Sequence, residues 1–289
     1  MKQSQLAINT ITLNQAPFDA QVAAVAAAGF ANIELYLPAV KKWQEAGGRS
    51  DADARRLLDE HGLTCIGGFE APVLAFGEDA KRERNHALHQ RNAELLATLG
   101  EATVMAVGTD GPGPESEVRG EAALGRVGEA LAQLVEKVAG SVRLAVEFNW
   151  SPVVRSLRSA VRVVEAAGHE RVGWLFDPAH YHCTATKTED IAAEAVASLF
   201  HVHVDNMADK PGEHSHCNDD RVLPGEAGGV LELGALMGQI EAAGYGGYFS
   251  LEMFDKGLWA MEAGEAARRC REAMLGLVDA AGGCAKSHG

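Results

Sequence analysis

The sequence predicts an α/β fold of one kind, a single (β/α)8 TIM barrel: a closed ring of eight parallel strands with helices packed outside it. Three observations carry that prediction. Eight short apolar runs alternate with eight helix-compatible stretches along an unbroken chain of 289 residues, a length suited to one large domain. No shift in composition marks a domain boundary, so residues 1–281 are expected to form one catalytic domain and residues 282–289 a mobile tail. The first run leads into ITLNQAPF, without the glycine-rich phosphate loop that announces a doubly wound open sheet.

The strands are expected at 6–12, 32–37, 64–68, 103–108, 143–148, 173–177, 200–205 and 248–253. The first helix is DAQVAAVAAAGF, with Asp19 as its N-cap and Gly29 as its stop. The second is DADARRLLDEHG, capped by Asp51 and stopped at Gly62. AKRERNHALHQRNAELLATLG, GEAALGRVGEALAQLVEKVAG, VVRSLRSAVRVVEAAG and TEDIAAEAVASL follow in turn. LELGALMGQIEAAG and EAGEAARRCREAMLGLVDAAG complete the series, and GTDGPGPESEVRG reads as a loop after the fourth strand.

Bulk properties narrow the function classes. The chain is 47% hydrophobic and 23% charged, an ordinary globular balance. A formal charge of −14 repels phosphate backbones, so nucleic acid is not an expected partner. The N-terminal MKQSQLAINTITLNQ lacks the apolar centre of a signal peptide, and no run is long enough to span a bilayer. The five cysteines (Cys65, Cys183, Cys217, Cys270, Cys284) are odd in number and form no CxxC, which fits reduced thiols in a cytoplasmic enzyme.

The chemistry lies at strand ends. The runs RLAVEFN, VGWLFDP, LFHVHVD and YFSLEMF stop at or beside Glu147, Asp177, His203 and Glu252. Charged groups are rarely placed at the end of a core strand without partners. Each residue alone admits a structural reading, an ion pair, a turn-starting Asp-Pro or a hydrogen-bonded core histidine. Together, on four successive strands, they form a set of three carboxylates and one imidazole suited to one divalent metal ion. Mn or Mg comes first, with Zn or Co also compatible. A barrel carries its active site where the strands end, and all four fall there.

Other residues fill in the same rim. His180, three residues past Asp177, can donate to a substrate oxygen; Tyr181 and His182 beside it have weaker claims. His201 lies deeper than His203 and reads as a core group or a support for the ligands. His214 and His216 could be ligands of a second metal but read better as solvated loop histidines. Arg221 is either a structural partner of Asp219 or Asp220 or, preferably, a clamp on a hydroxyl-rich substrate, with Pro224 and Gly225 fixing its turn. Glu34, in NIELYLP, is expected to face the rim and contact substrate, with a salt bridge on the helix side as the alternative. Trp150 and Phe254 would supply an apolar wall.

The motifs AVEFN, FDPAHYH, HVHVDN, DRVLPGEAGG and SLEMF make the chain recognisable. It resembles the xylose-isomerase-like barrel family of sugar isomerases and epimerases along nearly its whole length. Within that family it is most similar to the inosose (2-keto-myo-inositol) isomerases of inositol catabolism, through the insertion VDNMADKPGEHSHCNDDRVLPGE. The resemblance implies one divalent cation held by Glu147, Asp177, His203 and Glu252, with Glu147 and Glu252 as the acid/base pair. It further implies that His180 and Arg221 touch a polyhydroxylated small-molecule substrate and that Phe254 lines the pocket. The loop PGEAGGV departs from the family's PGxG followed by a polar residue, which leaves the role of Glu226 open. The reaction implied is proton abstraction next to a carbonyl; Glu252 is expected to remove the proton and Glu147 to return it, although barrel symmetry makes the two roles interchangeable in the sequence. A dehydratase acting on a keto-inositol or dehydroshikimate-like compound shares that first step. Apurinic endonucleases on a related barrel need extra histidines on strands two to four, where this chain has Glu34, Glu70 and GTDGPG. A homodimer or higher homo-oligomer is compatible with the acidic surface.

Overall fold

The computed structural model describes residues 1–210 and 216–284, with side chains given through residue 279. Eight parallel strands close into a barrel in the order β1-β10-β7-β6-β5-β4-β3-β2. They are β1 (Leu6–Asn9), β2 (Asn32–Tyr36), β3 (Thr64–Phe69), β4 (Thr103–Val107), β5 (Val142–Glu147), β6 (Val172–Phe176), β7 (Leu199–Val204) and β10 (Phe249–Leu251). Two further short strands, β8 (Asn206–Met207) and β9 (Arg221–Val222), pair antiparallel outside the ring. The (β/α)8 barrel expected from the sequence is the fold observed.

Alternation along the strands separates two interiors. Leu144 and Val146 of β5, Trp174 and Phe176 of β6, and Val202 and Val204 of β7 belong to the large apolar core between sheet and helices. Val104, Ala106, Ala145 and Leu175 form a separate small cluster inside the ring, joined by Phe69 and Phe200. Further along the strands the alternate positions become polar: Asn9, Glu34, Glu147, His203 and Glu252. Two register shifts interrupt the ladders. Trp174 pairs with Leu199 but Leu175 with His201, skipping Phe200; Ile33 pairs with Cys65 but Glu34 with Gly67, skipping Ile66. The first shift changes the parity of β7, so Phe200 and then His201 and His203 all face inward.

Helices α1 (Phe18–Ala27), α2 (Leu37–Gly47), α3 (Asp51–Glu60), α4 (Asp79–Leu99), α5 (Gly120–Val135) and α6 (Leu157–Ala167) precede β6. After it come α7 (Pro178–Cys183), α8 (Ala193–Val196), α9 (Leu233–Ala242), α10 (Lys256–Trp259) and α11 (Ala263–Cys284). Several sequence expectations are corrected. The first strand ends at Asn9, not at 12, because the Asn9 side chain accepts from Ile11 N at 3.0 Å and starts a 3-10 turn. The N-cap of α1 is Pro17, with Asp19 in the first turn, and the N-cap of α3 is Ser50, in a reciprocal capping box with Asp53. TEDIAAEAVASL forms only a 3-10 turn and the four-residue α8, because the chain leaves helical geometry at Ile191 (φ −83°, ψ 64°) between them. Residues 282–284 continue α11, so the expected tail at 282–289 is shortened; residues 285–289 lie outside the described residues. No described helix is long and apolar enough to cross a membrane, and Cys65, Cys217 and Cys270 are free thiols.

Candidate metal centre and pocket

The four strand-end residues meet. Glu147 closes β5, Asp177 follows β6, His203 lies near the end of β7 and Glu252 follows β10. Each offers one ligand atom, and these atoms lie within 4.8 Å of one another. His203 Nδ1 is 3.3 Å from Glu252 Oε2, 3.5 Å from Asp177 Oδ2 and 3.6 Å from Glu147 Oε1. It is buried, yet it has no hydrogen-bond partner. A buried ring nitrogen facing three carboxylate oxygens without bonding any of them is what ligands grouped around a shared cation present. Hard oxygen donors with one imidazole fit a divalent ion.

The second oxygens of the acids are held by the chain. Asn9 Nδ2 donates to Glu252 Oε1 at 3.1 Å and Asn149 Nδ2 to Glu147 Oε2 at 3.2 Å. Asp177 Oδ1 accepts from His180 N at 3.1 Å and so caps α7, leaving Oδ2 for the cluster. The structural alternative for Arg221, a pair with Asp219 or Asp220, is not what the structure shows. Asp219 pairs with Lys256 and Asp220 with Lys210. Arg221, its side chain 1% exposed, donates through Nη1 to Asp177 Oδ2 at 2.9 Å, to Asp205 and to the Glu252 carbonyl at 3.3 Å, and lies over the Phe254 ring.

These contacts divide the titratable groups. Burial pushes the Glu252 carboxyl up to about 8, and the neighbouring Glu147 and Asp177 charges add to it against His203 and Arg221. Burial would also raise Glu147, but His180 and His203 hold it below the usual carboxylate range. Asp177 is held well below that range, against its burial, by Arg221, His180 and His203. For His203, burial is outweighed by Glu252, Glu34, Asp177 and Glu147, which hold it well above an ordinary histidine.

Glu147, His203, Arg221 and Glu252 line a cavity of about 450 Å³, with His180, Trp150 and Phe254 among its walls. His180 Nε2 is 3.7 Å from Glu147 Oε2, and its ring meets Trp150 edge-on at 4.7 Å. The structure therefore brings Glu147, Asp177, His180, His203, Arg221, Glu252 and Phe254 to one end of the barrel, with Glu34 beneath them. The rim position expected for Glu34 is corrected: it is 1% exposed, is not part of the cavity wall and bonds His201 and His203 inside the barrel. His201 is deep, as its spacing indicates. His216 bonds the Ala208 carbonyl at 3.3 Å and packs on His182, while His214 lies outside the described residues. Glu226 pairs with Arg269 on α11, a surface tie.

A model of the xylose isomerase-like TIM barrel matches residues 22–274. The chain belongs to the xylose isomerase-like TIM barrel family. An inosose isomerase of Halalkalibacterium halodurans is 27% identical over 139 residues, 47% of this chain and 48% of that relative. The match thus spans about half the length of the isomerase. A 3-dehydroshikimate dehydratase of Pseudomonas aeruginosa is 27% identical over 270 residues, covering 89% of this chain and 39% of the dehydratase. The crystal structure of an IOLI protein with a zinc atom bound has a TM-score of 0.83 at 20% identity, over 95% of this chain and 98% of that one.

This member of the xylose isomerase-like family also builds its pocket from residues that sequence reasoning passed over. Glu70, after β3, lines the cavity and pairs with Lys41 of α2, which also reaches Asn92 of α4. Thr109 and Asn218 line it too. For Glu70 a signal existed: a carboxylate just after an apolar strand, the same pattern that marks Glu147.

Proposed function

We propose that this chain is a metal-dependent isomerase or epimerase of a polyhydroxylated carbonyl compound, a sugar or a cyclitol ketone of the inosose type. The observation that carries the reading is the placement of two glutamates, Glu147 and Glu252, around one partnerless imidazole nitrogen at the mouth of a barrel. A proton next to a carbonyl is too weakly acidic for a carboxylate acting alone in water. A divalent ion held by Glu147, Asp177, His203 and Glu252, with Mn or Mg first and Zn or Co as alternatives, supplies positive charge where the substrate oxygens become negative.

The chain's own groups do the rest. Glu252 takes the proton from carbon, and the electron pair moves into the carbonyl to give an enediolate. Glu147, which enters this direction carrying a proton taken from solvent, gives it to the neighbouring carbon or to the opposite face and is left ionised while Glu252 is left protonated; the roles exchange in the reverse direction. His180 and Arg221 hold substrate oxygens in line with the two acids. Trp150 and Phe254 narrow the pocket and limit water. A cytoplasmic setting and a homodimer or larger assembly belong to the same proposal.

A second reading is favoured by one observation: the match to a dehydratase covers 89% of this chain. Expulsion of a β-hydroxyl from the same enediolate would make the chain a lyase. The test is a panel of keto-inositols, ketohexoses and dehydroshikimate assayed with Mn2+ in heavy water. An isomer of unchanged skeleton carrying one deuterium supports the isomerase, and loss of water supports the lyase. Glu252→Gln is expected to lower turnover ~10²–10⁴-fold; near wild-type turnover sinks the acid/base assignment.

A further inference from the structure

Glu34 is a buried carboxylate for which the chemistry above has no task. Its partners come from across the ring, because β2 and β7 are separated by β1 and β10 in the strand order. Glu34 Oε2 meets His201 Nε2 at 3.0 Å, and Oε1 meets His203 Nε2 at 3.2 Å. The two imidazole rings stand at 86° with centroids 5.2 Å apart, so each reaches a different oxygen of one carboxylate. Both register shifts of the sheet lie beside this trio. The skipped Phe200 precedes His201, and the skipped Ile66 lies between the partners of Ile33 and Glu34. Such irregularities re-aim side chains.

We propose that Glu34, braced by His201, selects the tautomer of His203 that leaves the Nδ1 lone pair facing the cation, and so acts as a positioning residue that sets metal affinity. This inference rests on the metal-dependent reading. To bind a metal His203 must give up one ring proton, and the neutral imidazole that remains carries one N–H and one lone pair. A carboxylate at 3.2 Å from Nε2 requires the proton there, because a carboxylate only accepts. Without Glu34 the balance reverses. Nδ1 faces three carboxylate oxygens at 3.3–3.6 Å, and a proton on Nδ1 would be drawn to them. That tautomer has no lone pair to give a metal. The Glu34 bond therefore decides between a ligand and a hydrogen-bond donor.

The trio has a competing use. Ligand atoms of Glu34, His201 and His203 also fall within 4.8 Å of one another, as a second metal site would require. Yet both Glu34 oxygens and both Nε2 atoms already satisfy each other, and His203 could serve two ions only by losing its last ring proton. Of its two ring nitrogens, only Nδ1 lacks a partner. The geometry is that of a clamp beneath one site.

The test is calorimetric titration of Mn2+ and of Zn2+ into the metal-free full chain. The wild type is expected to take one ion. Glu34→Gln keeps the shape and loses the charge; Glu34→Leu removes both acceptors. Each is expected to weaken binding ~10–100-fold, the usual cost of losing such a support, with far-UV circular dichroism and metal-free melting retained in Glu34→Gln. Nitrogen-15 NMR of the zinc-loaded wild type should show His203 protonated at Nε2, and Glu34→Gln should reduce that population. If Glu34→Leu does not fold, Glu34→Gln decides alone. Wild-type affinity in the variants overturns the clamp and leaves the metal-dependent reading standing. Two ions per wild-type chain, falling to one in Glu34→Gln, overturn the clamp in favour of a second site. No binding to the wild type brings down both readings together.

Discussion

A guanidinium buried among carboxylates is held in place by the charge it neutralises. Arg221 faces Asp177 and Asp205, whose side chains are wholly buried. Asp205 has its own carboxyl raised well above the usual range by burial, which Arg221 only partly offsets. Arg221→Ala should destabilise the metal-free protein by ~3–5 kcal/mol in urea unfolding, because it strands buried charge rather than merely losing a contact. A bound cation next to Asp177 should recover part of that loss. Glu252 makes a second prediction at the same scale. With its carboxyl at about 8, it keeps its proton at neutral pH in the metal-free chain. A metal needs the carboxylate, so binding must expel that proton. Affinity should then weaken about tenfold per pH unit below ~8 for each proton displaced, and level off above it. Calorimetry across pH, in buffers of different ionisation enthalpy, measures the proton release directly. The stability sign runs the opposite way. A carboxyl raised from 4.5 to about 8 favours the metal-free fold most at low pH, and that contribution is lost as pH rises through about 8.

At the scale of elements, close strand approach makes small residues obligatory. Gly173 lies in β6 beside the register shift of β7, where an added Cβ would sit 2.4 Å from the Ser198 carbonyl oxygen and 2.5 Å from the Phe200 ring. Gly173→Ala should force β6 and β7 apart, costing ~1–3 kcal/mol and roughly 2–4 °C of Tm per kcal/mol, readable by calorimetric melting. It should also weaken metal binding, since Asp177 and His203 sit at the ends of those two strands. The same elements explain what was legible in the sequence. Glu147, Asp177, His203 and Glu252 stood out because their outward neighbours, such as Val146, Phe176, Val204 and Leu251, are apolar and fully buried. Strand-end polarity against an apolar run is a local signal. Glu34 carried the same signal, but its partners His201 and His203 are reached only when the ring closes, so local pattern put it on the rim. Helix α2 was hidden by Pro38, which resembles a breaker yet sits in the first turn, where no backbone donor is needed. The β8–β9 hairpin that delivers Arg221 has strands of two residues each, too short for any alternation to show.

For the molecule as a whole, folding concentrates charge that the unfolded chain keeps apart. Glu34, Asp177, Asp205 and Glu252 are all nearly inaccessible to solvent, and Arg221 is the buried cation that faces three of them. A divalent ion that binds only the folded chain must then raise its stability, by ~2.7 kcal/mol at a free concentration 100 times its Kd. Micromolar Mn2+ should raise Tm, and chelation should return it to the metal-free value. The formal charge of −14 creates a rival explanation, because any cation relieves surface repulsion. The two differ in dose and in residue dependence. Screening requires ~0.1 M salt to shorten the range of surface charge to about 10 Å, and it ignores which side chains lie in the barrel. The site effect saturates at one ion per chain and vanishes in His203→Asn, which takes away the imidazole facing all three acids. Melting curves of wild type and His203→Asn, at matched ionic strength with and without Mn2+, separate the two. An increment that survives in His203→Asn would put the ion on the acidic surface and remove the barrel mouth from the account.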